Sequence, residues 1–339
     1  MLTKRATYAI ALAAAAVLPF AGCTGGGSVQ NSASNLVPAS GESIQADVRK
    51  PHAAIVWKVL AGGKGGNQAF EALDFYDEAI TIDAGDSVTW LANGGAEPHT
   101  VTFLGPRSSP PPPDDPTAAQ PFGGKGYDGD RYTSSGFIAE GQTYTLRFPK
   151  PGTYTYYCIL HQPEMEGTVV VQPAGAPYPH TQAYYTAQGR QALNQTIFDA
   201  VQSLHEFPYP DGGPTLAAGL APGLATGSPS NATVLRFLAR DAYEGESVKR
   251  IKLGTTLTWV NQTNNEPHTV TFPAVGQAPP PNPLSPPAGG STYDGDQLVN
   301  SGVLPPGASF SLTFTKRGTY KYYCLFHAGS GMVGTIVVQ

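Results

Sequence analysis

Cysteine is scarce in this chain of 339 residues: only Cys23, Cys158 and Cys324 are present. Cys158 and Cys324 fall at equivalent positions of an internal repeat, in two separate domains. Such positions are badly placed to approach to bridging distance, so a disulfide between them is not expected. Methionine is as rare, three residues including Met1, which leaves no Met-rich cluster. Charged residues make up 13% of the chain and the net charge is −5, without the basic excess that a nucleic-acid partner would need. The uncharged stretch from Ala6 to Phe20 is too short for a membrane-spanning helix. No His-x-His sequence occurs anywhere.

What is present begins with an address. Lys4 and Arg5, the Ala/Leu/Val stretch, and Phe20-Ala21-Gly22-Cys23 ahead of a Gly/Ser-rich tail read as an export signal over residues 1–23. The segment resembles the lipobox of bacterial lipoproteins, with Phe20 where Leu is usual. That resemblance implies acylation of Cys23 and anchoring at the outer face of the cell membrane; without it the protein is secreted or periplasmic. In either case the folded part is expected outside the cytoplasm.

The remaining length suits two domains of a little over a hundred residues each. Abundant Gly (40), Pro (32) and Tyr (17) agree with an exported β protein. Charge divides unevenly: residues 53–172 hold 7 basic and 14 acidic side chains, net −7, and residues 232–339 hold 8 and 6, net +2. The halves should therefore not attract the same partners equally.

A repeat organises the rest. The segment EPHTVTF at Glu97 to Phe103 recurs unchanged at Glu266 to Phe272, with Gly85 and Trp90 matched by Gly254 and Trp259. Further on, Tyr127-Asp128-Gly129-Asp130 matches Tyr293-Asp294-Gly295-Asp296, and Cys158 matches Cys324. The offset changes within the Pro-rich stretches Pro106 to Pro121 and Pro273 to Pro287, which are loops because Pro donates no ladder hydrogen bond. Between them lie short runs of alternating β-branched and aromatic residues, such as Thr143 to Phe148 and Thr153 to Tyr157. Their spacing predicts an antiparallel sandwich or barrel in each half. Residues 53–172 and 232–339 are thus expected as all-β domains. They are joined by a linker over 173–231, with a helix at about 182–204 that carries Tyr185, Leu193, Ile197, Val201 and Leu204 near one face, then a Pro/Gly/Ala-rich tether. That helix is expected to pack on a domain or to space the two.

Strand parity aims the chemistry. His99 shares a side with Val101 and Phe103, and Cys158 with Tyr154 and Tyr156, so both point toward the core, with His161 and Met165 following in a turn. His268, Cys324, His327 and Met332 repeat the pattern. A thiolate, two imidazoles and a distant thioether suit copper: zinc prefers a tetrahedron of Cys, His or carboxylate, and calcium and magnesium want oxygen.

Each half resembles a cupredoxin of the plastocyanin/azurin family. The carrying residues are the two EPHTVTF segments with GTYTYYCILHQPEMEGTVVV at Gly152 to Val171 and GTYKYYCLFHAGSGMVGTIVVQ at Gly318 to Gln339. The resemblance implies two Greek-key sandwiches with two type 1 copper sites, their ligands His99, Cys158, His161 and Met165, then His268, Cys324, His327 and Met332. The second copy keeps the Cys-x2-His-x4-Met spacing of plastocyanin, and the first is one residue shorter. Thr100 and Thr269 stand where plastocyanin has Asn.

Four protein ligands leave no open position on the metal, which points to single-electron transfer rather than catalysis. Redox protein partners are expected to dock near His161 and His327, on apolar patches that include Ile159, Leu160 and Pro163, and Leu325, Phe326 and Ala328. Two-domain nitrite reductases and multicopper oxidases share the fold but need further histidines. Here the spare ones are His52, His180 and His205, all outside the two sandwiches. Copper storage or delivery would ask for Met/His-rich clusters that the chain lacks.

Overall fold

The computed structural model describes residues 53–65, 69–95, 97–112, 118–161, 165–206, 213–221, 231–238, 247–264 and 266–339, with backbone only over 203–206. The expected signal, the Cys23 anchor and His52 lie outside these residues. The first half contains nine strands: β1 (Val56–Gly65), β2 (Phe70–Tyr76), β3 (Ala79–Asp83), β4 (Ser87–Ala92), β5 (Thr102–Phe103), β6 (Thr133–Ser134), β7 (Thr143–Arg147), β8 (Gly152–Tyr157) and β9 (Glu166–Gln172). Among the described residues one α-helix follows, α1 (Gln182–Glu206). The second half adds β10 (Thr215–Leu220), β11 (Ala232–Leu238), β12 (Ser247–Ile251), β13 (Thr256–Gln262), β14 (Thr271–Phe272), β15 (Thr292–Tyr293), β16 (Val299–Asn300), β17 (Ser309–Phe314), β18 (Gly318–Tyr323) and β19 (Val333–Val338).

Alternation of side chains dictates a sandwich in each half. On β4 and β13 every second residue is buried, Val88 and Trp90 in one, Leu257 and Trp259 in the other. Each half has its own five-stranded sheet, β3-β9-β8-β5-β6 and β12-β19-β18-β14-β16. Trp90 packs edge-on against Phe103 and Tyr156, and Trp259 against Phe272 and Tyr322, so the two cores repeat the same aromatic centre.

The opposing face is shared. A single nine-stranded sheet runs β15-β17-β13-β10-β11-β2-β1-β4-β7 through both halves. Its junction is the antiparallel pairing of β11 with β2, in which Ala232, Thr233 and Val234 face Ala72, Glu71 and Phe70. Helix α1 lies over this junction: Ala200 is fully buried, and Ile197 and Val201 partly so, among Phe70, Leu220, Ala232 and Val234. At its other end Tyr185 accepts a hydrogen bond from the Thr81 N–H, at 2.9 Å. The helix therefore packs across the joined halves rather than spacing them.

One expectation about the linker needs correction. Residues 173–231 are not a helix and tether alone, because β10 lies among them and pairs in parallel with β13, as β1 pairs with β4. The small residues Ala217, Ala218 and Gly219, which read as tether composition, are what a tightly packed interior strand needs here.

Candidate metal centre

His99 ends up inside the first half because its backbone is clamped. It exchanges two hydrogen bonds with Ile138, its N–H donating to the Ile138 carbonyl at 3.0 Å and its carbonyl accepting at 2.8 Å. Cys158 follows the last residue of β8, and the turn beyond it is closed by two backbone bonds, Cys158 N–H to the Met165 carbonyl (3.0 Å) and Met165 N–H to the His161 carbonyl (2.9 Å). These constraints bring His99 Nδ1, His161 Nδ1 and Cys158 Sγ into a triangle with sides of 3.2, 3.3 and 3.9 Å.

The second half builds the same triangle. His268 is clamped to Leu304, and Cys324 and His327 bracket Met332 through backbone bonds of 3.1 and 3.0 Å. His268 Nδ1, His327 Nδ1 and Cys324 Sγ stand 3.0, 3.4 and 3.6 Å apart. In both triangles the equidistant point lies about 2 Å from each atom, the length of a metal–nitrogen bond. The donor sets therefore fit a metal ion of soft character, with thiolate and imidazole as its donors.

Without a metal the buried groups balance one another's charge: despite burial, the adjoining cysteines and glutamates hold His161 and His327 well above the usual imidazole range. Burial opposes charge on Cys158 and Cys324, but the adjoining imidazoles outweigh it and hold both thiols well below their ordinary range. Burial keeps His99 and His268 below theirs, in the neutral form that a metal requires. The Thr100 and Thr269 N–H groups each point at the cysteine sulfur, at 3.4 Å. Their hydroxyls accept the N–H of Ile159 and of Leu325, both at 2.8 Å. Each threonine thus ties the segment of the inner histidine to the residue after the cysteine.

Room for each inner imidazole comes from a glycine. Gly62 (φ +75°) and Gly219 (φ +74°) sit at irregularities in the β1–β2 and β10–β11 pairings, and a Cβ on either would collide with Nε2 of His99 or of His268. The loop ahead of His99 is held by Glu71, whose carboxylate accepts the Gly95 N–H at 2.8 Å. Its counterpart is held by Asn261, which donates to the Glu266 and Leu304 carbonyls at 2.7 and 2.8 Å. Sequence reading missed these residues; glycines at matching places in the two weakly similar strands were the available signal.

The outer histidines depart from expectation. His161 and His327 are 1% and 2% exposed and offer no edge to solvent, and Ile159 is buried with them. The cause is that the ligand-bearing ends of the two halves face each other. His161 Nε2 lies 3.3 Å from Glu266 Oε1 and 3.9 Å from Glu97 Oε2, and His327 Nε2 lies 2.5 Å from Glu97 Oε1. Despite burial, the two histidines hold the Glu97 carboxyl well below its usual range, whereas burial and the Glu97 charge push Glu266 up to about 8. Glu97, Glu266 and His327 form a third close cluster between the triangles. Among the spare histidines, His180 stacks on Tyr184 with ring centroids 3.8 Å apart. His205 falls within α1, and its side chain is outside the described residues.

Two His/Cys/His triangles, each at one end of a β-sandwich, define a tandem cupredoxin. A family model for copper binding proteins of the plastocyanin/azurin family matches residues 63–172 and 242–339. Over 97 residues the chain is 36% identical to plastocyanin of Scenedesmus fuscus, covering 29% of this chain and 86% of that one. Over 100 residues it is 33% identical to amicyanin-alpha of Methylorubrum extorquens, covering 30% and 66%. It spans 60% of the length of the chloroplastic plastocyanin of Tetradesmus obliquus, at 36% identity over 103 residues. A solved purple cupredoxin from Nitrosopumilus maritimus aligns at 25% identity over 37% of this chain and 98% of that one, with a TM-score of 0.24. The chain belongs to the plastocyanin/azurin family of copper-binding proteins.

Proposed function

We propose that this protein carries single electrons outside the cytoplasm, using one type 1 copper in each half. The observation that carries the reading is the burial of two His/Cys/His triangles, each with a buried methionine four or five residues beyond its outer histidine. His99, Cys158, His161 and Met165, and His268, Cys324, His327 and Met332, are all at most 2% exposed. When bound, copper supplies a one-electron couple. The cysteine and two histidines of each triangle would hold it, Met165 and Met332 would serve as weak fourth donors, and the buried setting would exclude water. Backbone clamps at Ile138, Leu304 and both Met residues restrict donor movement between oxidation states. A centre closed in this way offers no position to a substrate. Its partners are redox proteins that dock briefly. The relatives named plastocyanin and amicyanin support the same reading.

Export and an acyl anchor at Cys23 belong to this proposal on the strength of residues 1–23. Labelling with a radioactive fatty acid, lost in Cys23→Ser, tests the anchor.

The central experiment expresses the chain from beyond Cys23, loads copper and records metal content with the visible spectrum. The expected result is two coppers per chain, an intense thiolate-to-copper band bleached reversibly by reductant, and loss of one copper in Cys158→Ser or Cys324→Ser. Turnover of nitrite or oxygen, with a further copper lost in a His52, His180 or His205 variant, would replace the carrier with an oxidoreductase. Release of copper to an acceptor protein without redox change would replace it with delivery.

A further inference from the structure

The repeated EPH segment does two things at once. Its His joins the donor triangle of its own half: His99 with Cys158, His268 with Cys324. Its Glu reaches the other half. Glu97, two residues before His99, has one carboxylate oxygen 2.5 Å from Nε2 of His327; Glu266, two residues before His268, has one 3.3 Å from Nε2 of His161. The second Glu97 oxygen is 3.9 Å from His161, so this one carboxylate touches the outer histidine of both triangles. All four side chains are buried or nearly so. Each outer imidazole turns Nδ1 toward a cysteine sulfur, at 3.3 and 3.4 Å, which leaves Nε2 as the edge available to the carboxylates. A ligating histidine whose second nitrogen meets a carboxylate is held in one tautomer and one ring orientation, and becomes a stronger donor.

We propose that Glu97 and Glu266 are positioning residues acting across the junction, Glu97 orienting His327 and Glu266 orienting His161, so that each metal centre is completed by the opposite half and the two behave as a coupled pair. This rests on the two-copper reading above. The halves are held in register for it by the β2–β11 pairing. The arrangement also explains the conserved spacing within the chain: Glu and His stand two apart in both copies, one serving each centre.

The test uses the full chain loaded with copper. In a Cys158→Ser chain only the second-half triangle keeps its thiolate. Glu97→Gln, a change in the first half, is expected to raise the reduction potential of that second-half centre, because loss of a negative charge beside His327 disfavours the oxidised ion. In a Cys324→Ser chain, Glu266→Ala is expected to alter the copper hyperfine splitting of the first-half centre. With both centres loaded and oxidised, electron paramagnetic resonance should show spin–spin broadening and a half-field line. An unchanged potential in the Glu97→Gln chain, or a two-copper spectrum equal to the sum of the two single-site spectra, overturns the proposal. So does a third metal ion per chain that is lost in Glu97→Gln, since the carboxylates would then be ligands. A copper-loaded chain without a thiolate band refutes the electron-carrier reading itself, whereas a coloured chain with independent centres refutes only this one.

Discussion

Gly62 leaves the space that the His99 imidazole fills. A methyl group there would lie inside the contact radius of Nε2, and the backbone is in the left-handed region at φ +75°, where a Cβ is strained in any case. Gly219 stands in the same relation to His268. Gly62→Ala should therefore displace His99 and abolish the first centre, leaving the second intact, and Gly219→Ala should do the reverse. Copper content falling from two to one per chain, with about half of the thiolate band, is the expected measurement.

Thr100 and Thr269 tie the inner histidine of each triangle to the residue after the cysteine. Thr269→Val keeps the N–H aimed at Cys324 Sγ but removes the hydroxyl that accepts the Leu325 N–H. The cost should be about 1–2 kcal/mol of stability. Urea unfolding of the copper-free chain checks the magnitude, and a shifted potential in the second centre alone would show that the ligand loop has loosened.

Asp74 gives the chain a pH dependence unrelated to metal. Burial pushes its carboxyl from 3.8 up to about 7, against the pull of the Asn231 amide that donates to it at 3.0 Å. Because the folded value lies above the unfolded one, the folded state retains a proton that the unfolded chain releases. Stability should fall as pH rises from about 4 to about 7 and stay lower above that. Asp74→Asn should abolish this slope and stabilise the protein at pH 8 by on the order of 2–4 kcal/mol, with little effect at pH 4. Thermal unfolding across that range measures it.

Ala200 is fully buried between α1 and the junction of the halves, clustered with residues of β2, β10 and β11. Ala200→Arg would place an unpaired charge there and should lower stability by on the order of 3 kcal/mol or more. The thiolate bands of the two centres should survive at temperatures below the lowered melting point, since no described helix residue belongs to either triangle. Calorimetry with the visible spectrum recorded in parallel separates the two effects.

Much of the molecule was legible beforehand because its signals are local or repeated. Side-chain alternation on β4, β8 and β13 marks the sandwiches. The identical EPHTVTF segments, each followed by a Tyr-Tyr-Cys-x-x-His run, single out the donors that the structure brings together as His99/Cys158/His161 and His268/Cys324/His327. The helix was legible in its apolar face, while β10 was obscured by a composition that suits a tether as well as an interior strand. Glu97 and Glu266 were in view as part of the repeat, yet nothing in their spacing said whose histidine they would meet.

The order of residues thus determined the fold of each half and the identity of its soft donor atoms, because strand parity and ligand chemistry act over a few residues at a time. Only the tertiary structure decided that β11 would pair with β2, that the two donor-bearing ends would face each other, and that the outer histidines would be sealed against carboxylates instead of reaching solvent. Those outcomes depend on which edges and faces remain unpaired once both halves have folded, and that balance of buried area and backbone hydrogen bonding is a property of the whole chain.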